Sequence, residues 1–149
     1  MTDENTQRQA AFRLNGLYVK DISFENPLAP EIFITPAPNP PKMGVNIDVA
    51  IKRIKETSYE VVLRSTTKAV ENNKTIFLVE VVYAGIFTIN PALPEDTHAR
   101  ILFIDCASVL FPYARRIISD LTQEGGFPPV YLEPLNFEAI YQQKIGKAA

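Results

Sequence analysis

Two side chains in this sequence have the types of a nucleophile and its base, Cys106 and His98, and the chain holds one of each. A thiol and an imidazole must touch to activate one another. On a stretch with helical periodicity these two stand roughly 12 Å apart along the axis, so a surface histidine and a buried cysteine are expected. A zinc site needs three or four Cys, His or carboxylate ligands at close spacing, which one His and one Cys do not supply. Gly85 stands alone, and Gly125-Gly126 is not followed by Lys-Ser/Thr, so no loop is built to cradle phosphates. No Gly-x-Ser-x-Gly elbow occurs either. Catalysis, a metal and a cofactor are therefore not expected. What remains are carboxylates: Asp21 and Glu25 are four apart in a strand-like segment and point the same way, as do Leu78 and Glu80 two apart. On an open sheet face such groups are ordinarily just solvated.

The chain that must position them has 149 residues, the length of one domain and enough for a core without disulfides or metal. Lys plus Arg number 15 against 17 Asp plus Glu, a net charge of −2 that is too balanced for a surface tracking nucleic acid. Proline is the outlier, 12 residues against a typical ~5%, beside 9 Phe, 6 Tyr and no Trp. One cysteine makes no internal disulfide, and the polar, acidic start Met1-Thr-Asp-Glu-Asn-Thr is unlike a signal peptide, so the expected home is the cytoplasm. The longest apolar run, Val81 to Phe87, is far short of the ~20 residues that span a bilayer, and no membrane insertion is expected.

Residues 1–10 have almost no apolar side chains and read as a flexible tail; 11–145 read as a single domain and 146–149 as a flexible end. Phe12 to Phe24 is expected to be a strand bulged or bent at Gly16, with Phe12 and Leu14 on one face and Tyr18, Ile22 and Phe24 on the other. Six of the twelve prolines fall between Pro27 and Pro41, making an extended crossover loop. Within it Ile32-Phe33-Ile34 either covers a core edge or lines a groove. Val45, Ile47, Val49 and Ile51 alternate with polar or small residues, as do Tyr59, Val61, Leu63 and Ser65 with theirs, the period of strands. Glu71-Asn-Asn-Lys74 reads as a hairpin turn into a strand from Thr75 to Ile89 that is apolar on both faces. Both faces must be covered, one by helices and the other by a partner such as a second copy. Helical spacing then runs from His98 through Leu121, with Pro112 as a kink or restart, closed by Gly125-Gly126. Pro134 and Asn136 start a last helix carrying Phe137, Ile140, Tyr141 and Ile145. A four-stranded antiparallel meander followed by helices is an α+β domain.

Several segments in order resemble the SecB family of protein-export chaperones: Tyr18-Val-Lys-Asp-Ile-Ser-Phe-Glu-Asn-Pro-Leu-Ala-Pro30, Tyr59-Glu-Val-Val-Leu-Arg64, Gly85-Ile-Phe-Thr-Ile89, Leu110-Phe-Pro-Tyr-Ala-Arg115, Gly126-Phe-Pro-Pro129 and Leu132-Glu-Pro-Leu-Asn-Phe137. The resemblance implies a homotetramer, a dimer of dimers with helices between two sheets. Such a protein keeps unfolded secretory precursors competent for translocation and hands them to the SecA motor ATPase without hydrolysing ATP. It assigns SecA binding to Asp21, Glu25, Leu78 and Glu80. It assigns a client-binding groove to Phe33, Ile34, Met43, Val45, Ile47, Phe137, Ile140 and Tyr141, for each of which plain core packing is the alternative. The family's frequent acidic tail is not matched by the mildly basic Gln143-Lys-Ile-Gly-Lys-Ala-Ala149, which leaves open whether this end contacts SecA. Two other readings stay open: a SecB-like chaperone for a non-export client such as an antitoxin, and a small-ligand enzyme or carrier with an apolar cavity.

Overall fold

The computed structural model describes residues 10–35 and 38–148. The expected tail 1–10 lies, but for Ala10, outside the described residues. Strands β1 (Phe12–Glu25), β2 (Lys42–Lys55), β3 (Ser58–Glu71) and β4 (Lys74–Ile89) form one antiparallel sheet in the order β1-β4-β3-β2. A one-turn helix α1 (Glu31–Ile34) sits in the crossover between β1 and β2. The sequence suggested no helix there, and the turn ends just before the proline cluster that would deny it further donors. After β4, a 3₁₀ turn (Glu95–Thr97) leads into α2 (His98–Arg100), a π-helical turn (Ile101–Cys106) and α3 (Ala107–Glu124). The last helix, α4 (Phe137–Ala148), runs past the expected boundary at 145.

Alternation decides which side chains form the core. Tyr59, Val61, Leu63, Ser65, Thr67 and Ala69 of β3 share one face with Phe77, Val79, Val81, Tyr83, Phe87 and Ile89 of β4, and all are buried. Leu102, Phe103, Cys106, Ala107, Leu110, Ala114 and Ile118 from the helices pack against that face. We call it the inner face. The outer face of β4 is covered at one point from within the chain: Tyr18, opposite Ala84, reaches across β4 to donate its hydroxyl to Glu60 on β3. The ring therefore lies over Ala84, which is fully buried.

β1 departs from the simple alternation twice. The register skips at Asn15, beside Gly16 as expected, and again at Lys20. Each extra residue reverses the faces. Tyr18 does point away from Phe12 and Leu14, but Ile22 and Phe24 return to the inner face opposite Val81 and Val79, contrary to the expectation.

His98 also departs from expectation, being 5% exposed. Its Nδ1 lies 3.0 Å from the Tyr59 hydroxyl, a partner that lets a polar ring stay buried at the start of the helix. Pro112 does not restart the helix, which runs on from Ala107 to Glu124 around it. The carbonyl its missing N–H leaves free belongs to Ser108, which is exposed.

The end of α3 is a Schellman cap. The Phe127 N–H bonds the Thr122 carbonyl at 3.1 Å, the Gly126 N–H bonds that of Gln123 at 3.0 Å, and Gly126 has φ of 93°. A Cβ on Gly126 would stand 2.8 Å from the Phe33 ring. Gly126→Ala is therefore expected to cost about 1–2 kcal/mol, from the positive φ and the displaced ring together. Urea midpoints at one fixed protein concentration would measure it, and an unchanged midpoint would refute it.

Candidate functional site

The second skip in β1 builds the acidic face. Beyond Lys20, Asp21, Ser23 and Glu25 point outward opposite Val82, Glu80 and Leu78. The four residues assigned to motor docking by resemblance thus share one outer face on adjacent strands β1 and β4. Asp21 and Glu25 are exposed, while Leu78 and Glu80 are half-buried. Glu80 is not free: its Oε1 accepts from Arg64 Nη1 at 2.7 Å from neighbouring β3. An incoming cation would compete with that guanidinium. Farther along the same face Glu60 accepts from both Tyr18 and Lys20, the latter at 3.2 Å. The Tyr18 bond holds the Glu60 carboxyl below its usual range, and burial pushes the Tyr18 phenol up to about 12. That pair is thus a fixed polar clasp across β4. Tyr18, Lys20 and Arg64 were not singled out in sequence, because residue types in a strand do not announce diagonal contacts.

The residues assigned to a client groove are not all alike in the structure. Met43, Val45 and Ile47 lie on the inner face of edge strand β2, and Val45 is 47% exposed while Val49 on the same face is buried. Ile51 and Ile54, not assigned in sequence, extend the exposed apolar surface. Ile34 is 74% exposed. Phe33 packs on Phe127 at 5.2 Å between ring centroids, and Phe127 packs on Phe77 of β4. Met43 reaches the same end of the sheet from β2 through Ala69, which is opposite both Met43 and Phe77. Tyr141 of α4 leans on Phe103 at 5.2 Å with Ile140 half-buried beside it. Phe137 is 3% exposed and edge-on to Phe111, so it offers no surface to a groove and belongs to the core. Lys144 of α4 donates to the Val49 carbonyl at 2.9 Å, tying the helix to β2.

Cys106 is buried, and its burial together with Asp105 pushes the thiol up to about 12. It is a poor nucleophile where it sits. Among the described residues no three His, Cys, Asp or Glu side chains cluster to hold a metal, and no helix is long and apolar enough to cross a membrane.

An antiparallel sheet covered by helices on one face, with a charged open face on the other and apolar residues exposed along an edge strand, defines an α+β binding domain of SecB-like fold. A Mycobacterium tuberculosis SecB-like chaperone, solved in complex with an antitoxin-derived peptide, has that fold: TM-score 0.67 and 14% identity, over 88% of this chain and 92% of that one. The chain belongs to the SecB family of protein-export chaperones. The family model described as "Preprotein translocase subunit SecB" matches residues 5–148. Protein-export protein SecB of Bartonella quintana is 41% identical over 96% of this chain and 89% of its own length. That of Methylococcus capsulatus is 41% identical over 99% and 94%.

Proposed function

We propose that the protein is a cytoplasmic holdase that keeps unfolded secretory precursors on its inner-face apolar surface and delivers them to SecA, acting by binding rather than catalysis. The observation that carries the delivery step is the register placing Asp21, Glu25, Leu78 and Glu80 together on the outer face, away from the surface proposed for clients. An acidic patch around one apolar side chain suits a basic segment of the motor, and such a contact weakens with salt. Precursor binding draws on burial: about 400 Å² of apolar client surface at ~25 cal/mol/Å² gives near 10 kcal/mol gross, most of it offset by association and ordering. The outcome is reversible holding with little sequence selectivity.

The assembly proposed is a homotetramer. Leu14, Val19 and Ile22 on the inner face of β1 are exposed, and Tyr113 of α3, stacked on Tyr83 at 5.7 Å, is exposed beside them. An apolar strip along an edge strand is what a second copy would cover. Identities near 40% to protein-export SecB proteins favour export over the antitoxin role of the more distant structural relative.

The test is light scattering of the purified chain, followed by titration with SecA and with an unfolded precursor. A tetramer that slows precursor folding and binds SecA is expected. A monomer that does neither would overturn the reading.

A further inference from the structure

The open edge of β2 has its hydrogen-bonding groups and its apolar side chains in phase. In an antiparallel sheet alternate residues turn N–H and C=O toward one neighbour or the other. The Ile89 N–H bonds the Thr57 carbonyl at 2.9 Å, continuing the register in which Ser58 opposes Thr88. Odd residues of β3 therefore turn their amides toward β4, and even ones toward β2. Because Glu60 opposes Lys52 and Val62 opposes Ala50, the even residues of β2 pair with β3. Met43, Val45, Ile47, Val49 and Ile51 are left with N–H and C=O directed off the sheet. The Lys144 bond to the Val49 carbonyl is independent support, since a donor arriving from outside the sheet finds that oxygen. These same odd residues carry their side chains on the inner face, and Met43, Val45 and Ile51 are exposed.

We propose that an unfolded client segment binds as an added fifth strand, antiparallel to β2, with alternate apolar side chains laid over Met43, Val45 and Ile47. The proposal rests on the groove reading above and specifies how that groove holds a chain. Main-chain pairing is indifferent to client sequence, and an unfolded segment brings the unpaired amides that the edge lacks. A second copy of β2 is a poor occupant: Lys42, Lys52, Arg53 and Lys55 against a single acid, Asp48, would meet their own kind across the seam. Lys144 marks one end of the free stretch, leaving Met43, Val45 and Ile47 open.

The probe is a nine-residue peptide of alternating leucine and serine, offered to the full-length protein and competed against an unfolded precursor. In an antiparallel pair the peptide residues whose side chains share the face of Val45 are those whose amides point at β2. N-methylation of the leucine amides is therefore expected to weaken binding about tenfold or more, and of the serine amides less than about twofold, since only the first set is bonded. Equal losses from both sets, with the unmodified peptide still competing, overturn strand addition and leave the groove reading standing. An unmodified peptide that neither binds nor competes overturns both. Val45→Pro supplies a second readout, because the Val45 N–H is not used by the sheet and proline is tolerated at such edge positions. It should retain the fold yet bind the peptide about fivefold more weakly than Val45→Ala, which keeps the N–H donor. Equal affinities of the two variants overturn the proposal.

Discussion

Glu80→Lys is expected to weaken SecA binding about a hundredfold at low salt, roughly 2.7 kcal/mol, while precursor holding and assembly persist. Two changes add: an attraction for a basic partner is lost, and a like charge takes its place. Each is of the order of 1–2 kcal/mol for charges about 4 Å apart at a half-solvated surface. Folding should feel little, because the Glu80–Arg64 pair sits on the open face and such pairs contribute about 0–1 kcal/mol. The same geometry gives a partner variant of opposite sign. Arg64 holds Glu80 at 2.7 Å in the free protein, so Arg64→Gln frees the carboxylate and should tighten SecA binding about threefold. Both effects should shrink toward nothing near 1 M salt, where the screening length is ~3 Å. Calorimetry or surface-binding titrations of the two variants across a salt series would measure this. If Glu80→Lys lost precursor holding and tetramer together with SecA binding, Glu80 would be structural; if Arg64→Gln also weakened docking, the guanidinium would be a contact and not a competitor.

Whether these side chains face the motor at all depends on a feature that sequence reading did not reach. The period of two in 45–51 and 59–65, the Asn72-Asn73 turn with its positive φ values, and the Gly126 cap were each legible, because local chemistry decides them. The skip at Lys20 was not. Lys-Asp contains no glycine and no proline to mark a bulge, and only the pairing with β4 forces it. Without it Asp21 and Glu25 would turn toward the core, so the acidic face exists by virtue of one unpaired residue. The buried state of His98 was hidden for a similar reason: its partner, Tyr59, is 39 residues away in sequence. Phe137 shares a helical stripe with Ile140 and Tyr141, yet it alone is buried, edge-on to Phe111 of α3. Periodicity shows that a residue faces something; whether that is core or open groove depends on how far the neighbouring helix reaches.

The largest effect on stability should come from Phe87→Ala, at about 3–5 kcal/mol. Phe87 is fully buried on β4, edge-on to Phe12 at 5.7 Å and opposite Tyr59. Removing its ring leaves a void lined by strands on both sides, which are tied by ladder hydrogen bonds and collapse poorly into it. For a chain of this size each kcal/mol lowers the melting temperature by roughly 2–4 °C, so a fall of about 10 °C is expected at fixed protein concentration. Gly85 supplies a sharper form of the test. A Cβ there would stand 2.8 Å from Phe87 Cε2 and 3.0 Å from both Leu110 Cδ2 and Leu17 Cδ2. Gly85→Ala alone should cost about 1–3 kcal/mol by overpacking. In the Phe87→Ala background the tightest of the three contacts is gone, and the added methyl fills part of the void, so the double variant should be less destabilised than the two single costs combined. Strict additivity would show that Phe87 does not set the space at Gly85. Since the ring lies on the inner face, opposite the acidic patch, SecA binding well below the melting transition should be unchanged in either variant, separating what holds the sheet together from the docking proposed for its outer face.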